Sequence, residues 1–169
     1  QRGVNDHTLP DLVDRFRGSG VIVRFIEYMD VGNRNEWRED LVVSSAELAA
    51  RISQRWPLAP AGRNYAGEVA ERQSFADGMG EVGFISSVSQ PFCGDCSRAR
   101  LSSDGTLYSC LFATTGVELR GALRGGADDD TLLALLQGAW ERRADRYSER
   151  RASLHAGREH KVEMFHIGG

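Results

Sequence analysis

The sequence predicts an α/β chain in two parts: βα units over residues 1–57, then a mainly antiparallel β region with a C-terminal helix over residues 58–169. Three observations predict it. Helix-type and strand-type hydrophobic periods alternate before Pro57. Short β-type runs parted by Gly, Asp and Ser turns follow Pro60. An apolar helical pattern returns after Asp128.

Asn5-Asp6 and Thr8-Leu9-Pro10 carry capping residues and a proline near a helix start. Leu9, Leu12, Val13 and Phe16 recur at helical spacing, which predicts a helix over about 9–18 that ends at Gly18 and Gly20. Val21 to Met29 is a near-continuous apolar run rich in β-branched residues, expected as a parallel strand buried on both faces. The polar stretch from Asp30 to Trp37 is then a loop at the strand's carboxyl end, where α/β folds place ligands. Ser44-Ser45-Ala46-Glu47 reads as a capping box, with Leu48, Ile52 and Trp56 on one face of a helix closed by Pro57. The β-type runs are Gly67 to Phe75, Val82 to Val88, Ala99 to Leu101 and Thr106 to Leu111, with Ser103-Asp104-Gly105 as a hairpin turn. Asp128 to Asp130 place acids at a helix start, and Leu132, Leu133, Leu135, Leu136 and Trp140 give its apolar face.

The 169 residues carry a net charge of −3, so the molecule is no general polyanion binder. Acids interrupt the arginines of Glu141 to Arg151, which argues for a solvated helical face and against nucleic acid. No apolar run approaches 18 residues, so no membrane span is expected. No signal peptide opens the chain, and a cytoplasmic location follows as an expectation. The chain begins at Gln1 and not at Met, which suggests a piece of something longer.

All three cysteines, Cys93, Cys96 and Cys110, fall in one 18-residue window as C-x2-C-x13-C. That spacing suits a soft metal centre. A closed zinc site needs a fourth protein ligand, from His155, His160, His166 or an acid. A four-iron cluster held by three thiolates keeps one iron open. The turn at Asp104-Gly105 is expected to fold Cys110 back towards the first pair. Arg98 and Arg100 follow directly and offer guanidinium forks suited to phosphate. Arg24 and Glu27 interrupt the first strand with charge. They read either as a structural ion pair or as one side chain turned towards a ligand.

Several motifs together resemble the C-terminal half of the molybdenum cofactor biosynthesis protein A family, the radical S-adenosylmethionine GTP 3′,8-cyclases. They are Arg24-Phe25-Ile26-Glu27-Tyr28-Met29-Asp30-Val31-Gly32, Gly83-Phe84-Ile85-Ser86, Phe92 to Leu101, Asp104-Gly105, Cys110-Leu111-Phe112 and the terminal Ile167-Gly168-Gly169. The resemblance spans essentially the whole chain and favours iron–sulfur over zinc. It implies the last βα units of an incomplete radical-SAM barrel, then a cluster- and GTP-binding region. It implies that Cys93, Cys96 and Cys110 hold a [4Fe-4S] cluster, and that Arg24, Arg98 and Arg100 contact GTP. Met29 would lie against S-adenosylmethionine, and Gly168 and Gly169 would reach the reaction chamber. Ser97 stands where the family often has asparagine. The C-x3-C-x2-C motif of the radical-generating [4Fe-4S] cluster is absent, so this chain alone is expected to be inactive, lacking the N-terminal barrel half. A bare parallel edge would favour pairing with that half or with a second copy, as a homodimer. The contrasting expectation is a stand-alone zinc-binding module whose arginines contact RNA or a protein partner.

Overall fold

The computed structural model describes residues 1–154 and 161–167. The chain divides into two compact units, residues 1–29 with 37–96, and residues 30–36 with 97–169. Gly168 and Gly169, and also His155 and His160, lie outside the described residues.

The first unit holds α1 (Leu9–Phe16), β1 (Val23–Ile26), α2 (Ser45–Ser53), β2 (Leu58–Ala61), β3 (Glu71–Phe75) and β4 (Glu81–Ile85). The strands form one sheet in the order β1-β4-β3-β2. β1 runs parallel to β4, and the other two pairings are antiparallel. The sheet thus joins β1, from before Pro57, to three strands that follow it. Proline explains why β2 was not expected: Pro60 argues against a central strand, yet β2 is an edge strand, where proline is tolerated.

Helices α1 and α2 supply Val13, Leu48 and Ile52 to a buried core with Phe25, Val82, Phe84, Phe75 and Trp56. The cap on α2 is the one expected, since the Ser44 side chain accepts the Glu47 backbone N–H. β1 corrects its expectation. Phe25 is buried, but Ile26 is 57% exposed and Arg24 is also exposed. The strand is at the sheet's edge and buries one face only, so its apolar run has the alternation of a half-covered strand.

Glu27 follows β1 and is 2% exposed. It is not paired to Arg24. Its Oε1 accepts the Ser45 N–H at 2.8 Å, and its Oε2 accepts the N–H groups of Val88 and Ser89, both at 2.8 Å. The Ser89 hydroxyl donates as well. Burial pushes this carboxyl up, but the donors from Ser89, Ser45 and Val88 outweigh it and hold it below the ordinary range. One carboxylate therefore ties the end of β1 to the start of α2 and to the segment that leads from β4 towards Cys93.

The second unit holds β5 (Arg100–Leu101), β6 (Thr106–Tyr108), β7 (Val117–Glu118), α3 (Arg120–Arg124), α4 (Asp129–Glu141) and α5 (Tyr147–Leu154). β5, β6 and β7 form an antiparallel sheet in that order. The expected hairpin turn is present. Gly105 sits at φ +85° in the turn, and its N–H donates to the Ser102 carbonyl at 3.0 Å. The Asp128 carboxylate caps α4 by accepting the Thr131 N–H at 2.9 Å. The apolar face of α4 is less buried than its pattern suggests, since Leu133 is 51% exposed and Trp140 40%.

Asp30 is the polar centre of this unit. Arg151 Nε donates to its Oδ1 and Lys161 Nζ to its Oδ2, each at 2.8 Å, and the Tyr147 hydroxyl adds a third donor. Lys161 also donates to the Asp30 carbonyl at 2.7 Å. Burial raises this carboxyl, yet Lys161, Tyr147 and Arg151 bring it down to about 2. Close by, the Asn33 side chain donates to the Lys161 carbonyl at 2.7 Å and to Glu163 at 2.9 Å. Residues 161–167 are thereby fastened to the loop after β1, and Ile167, 2% exposed, packs with Tyr108 and Ala113. The segment before the terminal glycines is part of a core.

Two outcomes follow for stability. Glu27→Gln removes the charge that four donors address, and replaces an acceptor with a donor facing N–H groups. It should cost about 1–3 kcal/mol in denaturant titration. Asp30→Asn leaves two buried cations without their counter-ion and should cost about 3 kcal/mol. The Asp30 pKa is depressed on folding, so its contribution is complete above about 3.8 and is lost as pH falls towards 2. Wild-type stability should fall through that window, and Asp30→Asn should show a shallower fall.

Candidate functional site

Arg24 has its place in the first unit from strand alternation. Val23 and Phe25 face the helices, and Arg24 takes the opposite face. Its register partner on β4 is Gly83. A Cβ on Gly83 would stand 3.1 Å from Arg24 Cγ and 3.5 Å from Ala70 Cβ, so glycine makes room for the arginine stem. The Arg24 guanidinium lies 3.8 Å from Oε1 of Glu68, a near-fully buried carboxylate. Close to Glu68 is a cavity of about 290 Å³, lined in part by Arg63, Glu68, Arg72, Ser86, Gln90 and Phe92. Arg72 pairs with Glu81 across the sheet and donates to the Gly62 carbonyl at 2.8 Å and to Asn64 Oδ1 at 2.6 Å.

Sequence reasoning did not single out Glu68. An acid beside a glycine reads as a solvated turn, and only the fold reveals that this one is buried. Met29 is half-buried, three residues past the end of β1. The neighbouring Tyr28 carbonyl accepts the Trp37 indole N–H at 2.7 Å.

Cys93 and Cys96 bracket one 3-10 turn, Cys93–Asp95, with the Cys96 N–H donating to the Cys93 carbonyl at 3.4 Å. Both belong to the first unit, and Cys110 belongs to the second. No thiol is in a disulfide, and all three are half-buried. Cys110 Sγ accepts the Phe112 N–H at 3.4 Å and lies beside the Tyr108, Ala113 and Ile167 cluster. An N–H aimed at sulfur favours a thiolate and is a feature that tunes iron–sulfur ligands. Half-buried thiols outside disulfides, with the Cys110 sulfur accepting an N–H, suit thiolate ligation of a cluster in their chemistry. Among the described residues no three His, Cys, Asp or Glu side chains are gathered to hold a metal ion.

Arg98 is exposed in the irregular stretch after Cys96. Arg100 is half-buried on β5, opposite Tyr108 of β6. Gly168 and Gly169 fall outside the described residues, directly after the anchored Ile167. Among the described residues no helix is long and apolar enough to cross a membrane.

The family model described as Molybdenum Cofactor Synthesis C matches residues 21–149. The chain is 58% identical over its whole length to a GTP 3′,8-cyclase of Xanthomonas campestris pv. campestris, covering 49% of that protein. It is 47% identical to a GTP 3′,8-cyclase of Synechococcus sp., covering 47% of it. A GTP 3′,8-cyclase of Acidothermus cellulolyticus is 46% identical over 194 aligned residues, with 53% of it covered. The chain therefore spans about half the length of the curated relatives it matches. The match over residues 21–149 includes Arg24, the cysteine window and both sheets, and by it the chain belongs to the Molybdenum Cofactor Synthesis C family.

Proposed function

We propose that this chain is the substrate-binding half of a GTP 3′,8-cyclase, which converts GTP to 3′,8-cyclo-7,8-dihydro-GTP in the first step of molybdopterin synthesis. The observation that carries it is 58% identity along the entire chain to a protein of that name. The edge position of β1 supports a continuing barrel: among the described residues it pairs with β4 alone, which suits further strands that the uncovered half of the relatives would supply. On this reading residues 1–57 complete a radical-SAM barrel, and residues 58–169 form the cluster and GTP region with its Gly-Gly tail.

Cys93, Cys96 and Cys110 would hold a [4Fe-4S] cluster as thiolates. When bound, that cluster offers an iron with an open position for guanine, and S-adenosylmethionine with a second cluster on the other half supplies radical initiation. The chain's own task is binding and orientation. Arg24, Arg98 and Arg100 neutralise the nucleotide through charge-assisted forks. Met29 lies against S-adenosylmethionine. Gly168 and Gly169, without side chains, would serve in the reaction chamber. Alone, the chain binds without turning over.

Anaerobic preparation with iron and sulfide should give a brown protein with about four irons at this site. Cys93→Ala, Cys96→Ala or Cys110→Ala should each abolish the electron paramagnetic resonance signal of the reduced cluster. A colourless protein that retains stoichiometric zinc would sink the cluster and favour a zinc module. In the full-length cyclase, Arg100→Ala should weaken GTP binding by about 1.5 kcal/mol or more, the scale of a lost hydrogen bond to a charged group. Unchanged affinity in calorimetric titration would remove Arg100 from the site.

A further inference from the structure

We propose that Glu68 accepts a sugar hydroxyl of the bound nucleotide and so sets specificity for ribose; the assignment rests on the nucleotide reading above. The Glu68 side chain is 1% exposed. Its Oε2 accepts the Asn64 N–H at 2.7 Å. Its Oε1 is buried and, among the described residues, has no hydrogen-bond partner. Among the described residues the nearest cation is Arg24, 3.8 Å from that oxygen, close enough for attraction and too far for a hydrogen bond. A buried acceptor left unmet opposes folding, so its persistence calls for a purpose outside the folded chain's own contacts.

The surroundings hold this oxygen in place. Arg72 grips Asn64 Oδ1 and the Gly62 carbonyl, and Glu81 holds Arg72 in turn. Asn64 then fixes Oε2 through its backbone N–H. Oε1 is thus an acceptor fixed in advance beside a cavity of about 290 Å³, near the lower end of small-ligand pockets, roughly 300 Å³.

The chemistry of the acceptor selects its ligand. A phosphate oxygen carries no donor and is repelled by the carboxylate. A second cation would meet Arg24. A paired N–H edge, as on a purine base, is best read by both carboxylate oxygens, and Oε2 is already engaged. A single hydroxyl needs one oxygen, and O–H to carboxylate is among the stronger hydrogen bonds. Carboxylates read ribose hydroxyls in this way in dinucleotide folds. Arg24 alongside would hold the nearby negative charge of the same ligand.

The test is calorimetric titration of the cluster-loaded full-length cyclase, without S-adenosylmethionine, against GTP, 2′-deoxyGTP and 3′-deoxyGTP. Wild type should bind one deoxy analogue about tenfold more weakly than GTP. Glu68→Ala and Glu68→Gln should bind GTP about tenfold more weakly and should no longer distinguish it from that analogue. The Glu68→Gln melting temperature should equal or exceed that of wild type, because a buried orphan carboxylate oxygen is gone. Equal wild-type affinity for all three nucleotides overturns the assignment, as does wild-type discrimination in either variant. A Glu68→Gln protein that unfolds makes the residue structural and also overturns it. Wild type that binds no GTP overturns the nucleotide reading itself, and the assignment with it.

Discussion

A single buried carboxylate, that of Glu27, organises the first unit. Three backbone N–H groups and a hydroxyl converge on it from two segments distant in sequence. Apolar packing brings α1 and α2 onto the sheet, but packing is non-directional. The hydrogen bonds to Glu27 are directional, and they specify where α2 begins and how the chain leaves β4. The path from Ser86 to Cys93 inherits its starting point from that acid.

The same strand divides its residues by function. Phe25 goes to the core, stacked on Phe84 with ring centroids 5.8 Å apart. Arg24 takes the face that the helices leave free, and Gly83 on β4 makes room for its stem. A charged residue in an apolar run is costly only if the run is buried on both faces. Here the sheet's edge position removes that cost, so Arg24 stays 46% exposed at the side chain while the strand still contributes to the core.

Much of this was legible from residue patterns, and the failures have physical causes. The Ser44 cap and the Asp104-Gly105 turn are local, so a few neighbouring residues determine them. The side of β1 that carries Arg24 follows from alternation alone. The burial of β1 does not, because it depends on which strand lies beside it. β2 was hidden by Pro60, whose meaning changes between a central and an edge strand. Glu68 and Asp30 were hidden for another reason. An acid in a turn or loop is ordinarily solvated, and only partners far along the chain reveal otherwise. Arg24 meets Glu68 from 44 residues away, and Lys161 meets Asp30 from 131 residues away. The thiols are the reverse case: their spacing predicts a ligand set by type, while any gathering of them depends on three dimensions.

The Asp30–Lys161 clasp bears on the order of assembly during synthesis. Every residue of the first unit has been made once Cys96 is added, and its core and Glu27 contacts then have all their members. The second unit must wait, because Lys161 and Ile167 follow Cys96 by 65 and 71 residues. Until they emerge, Asp30 has no ammonium partner and Tyr108 lacks a neighbour from its cluster. A ribosome releasing about 5–20 residues per second leaves several seconds between the two events. The first unit thus has all its members for a defined interval in which the second still lacks part of its core.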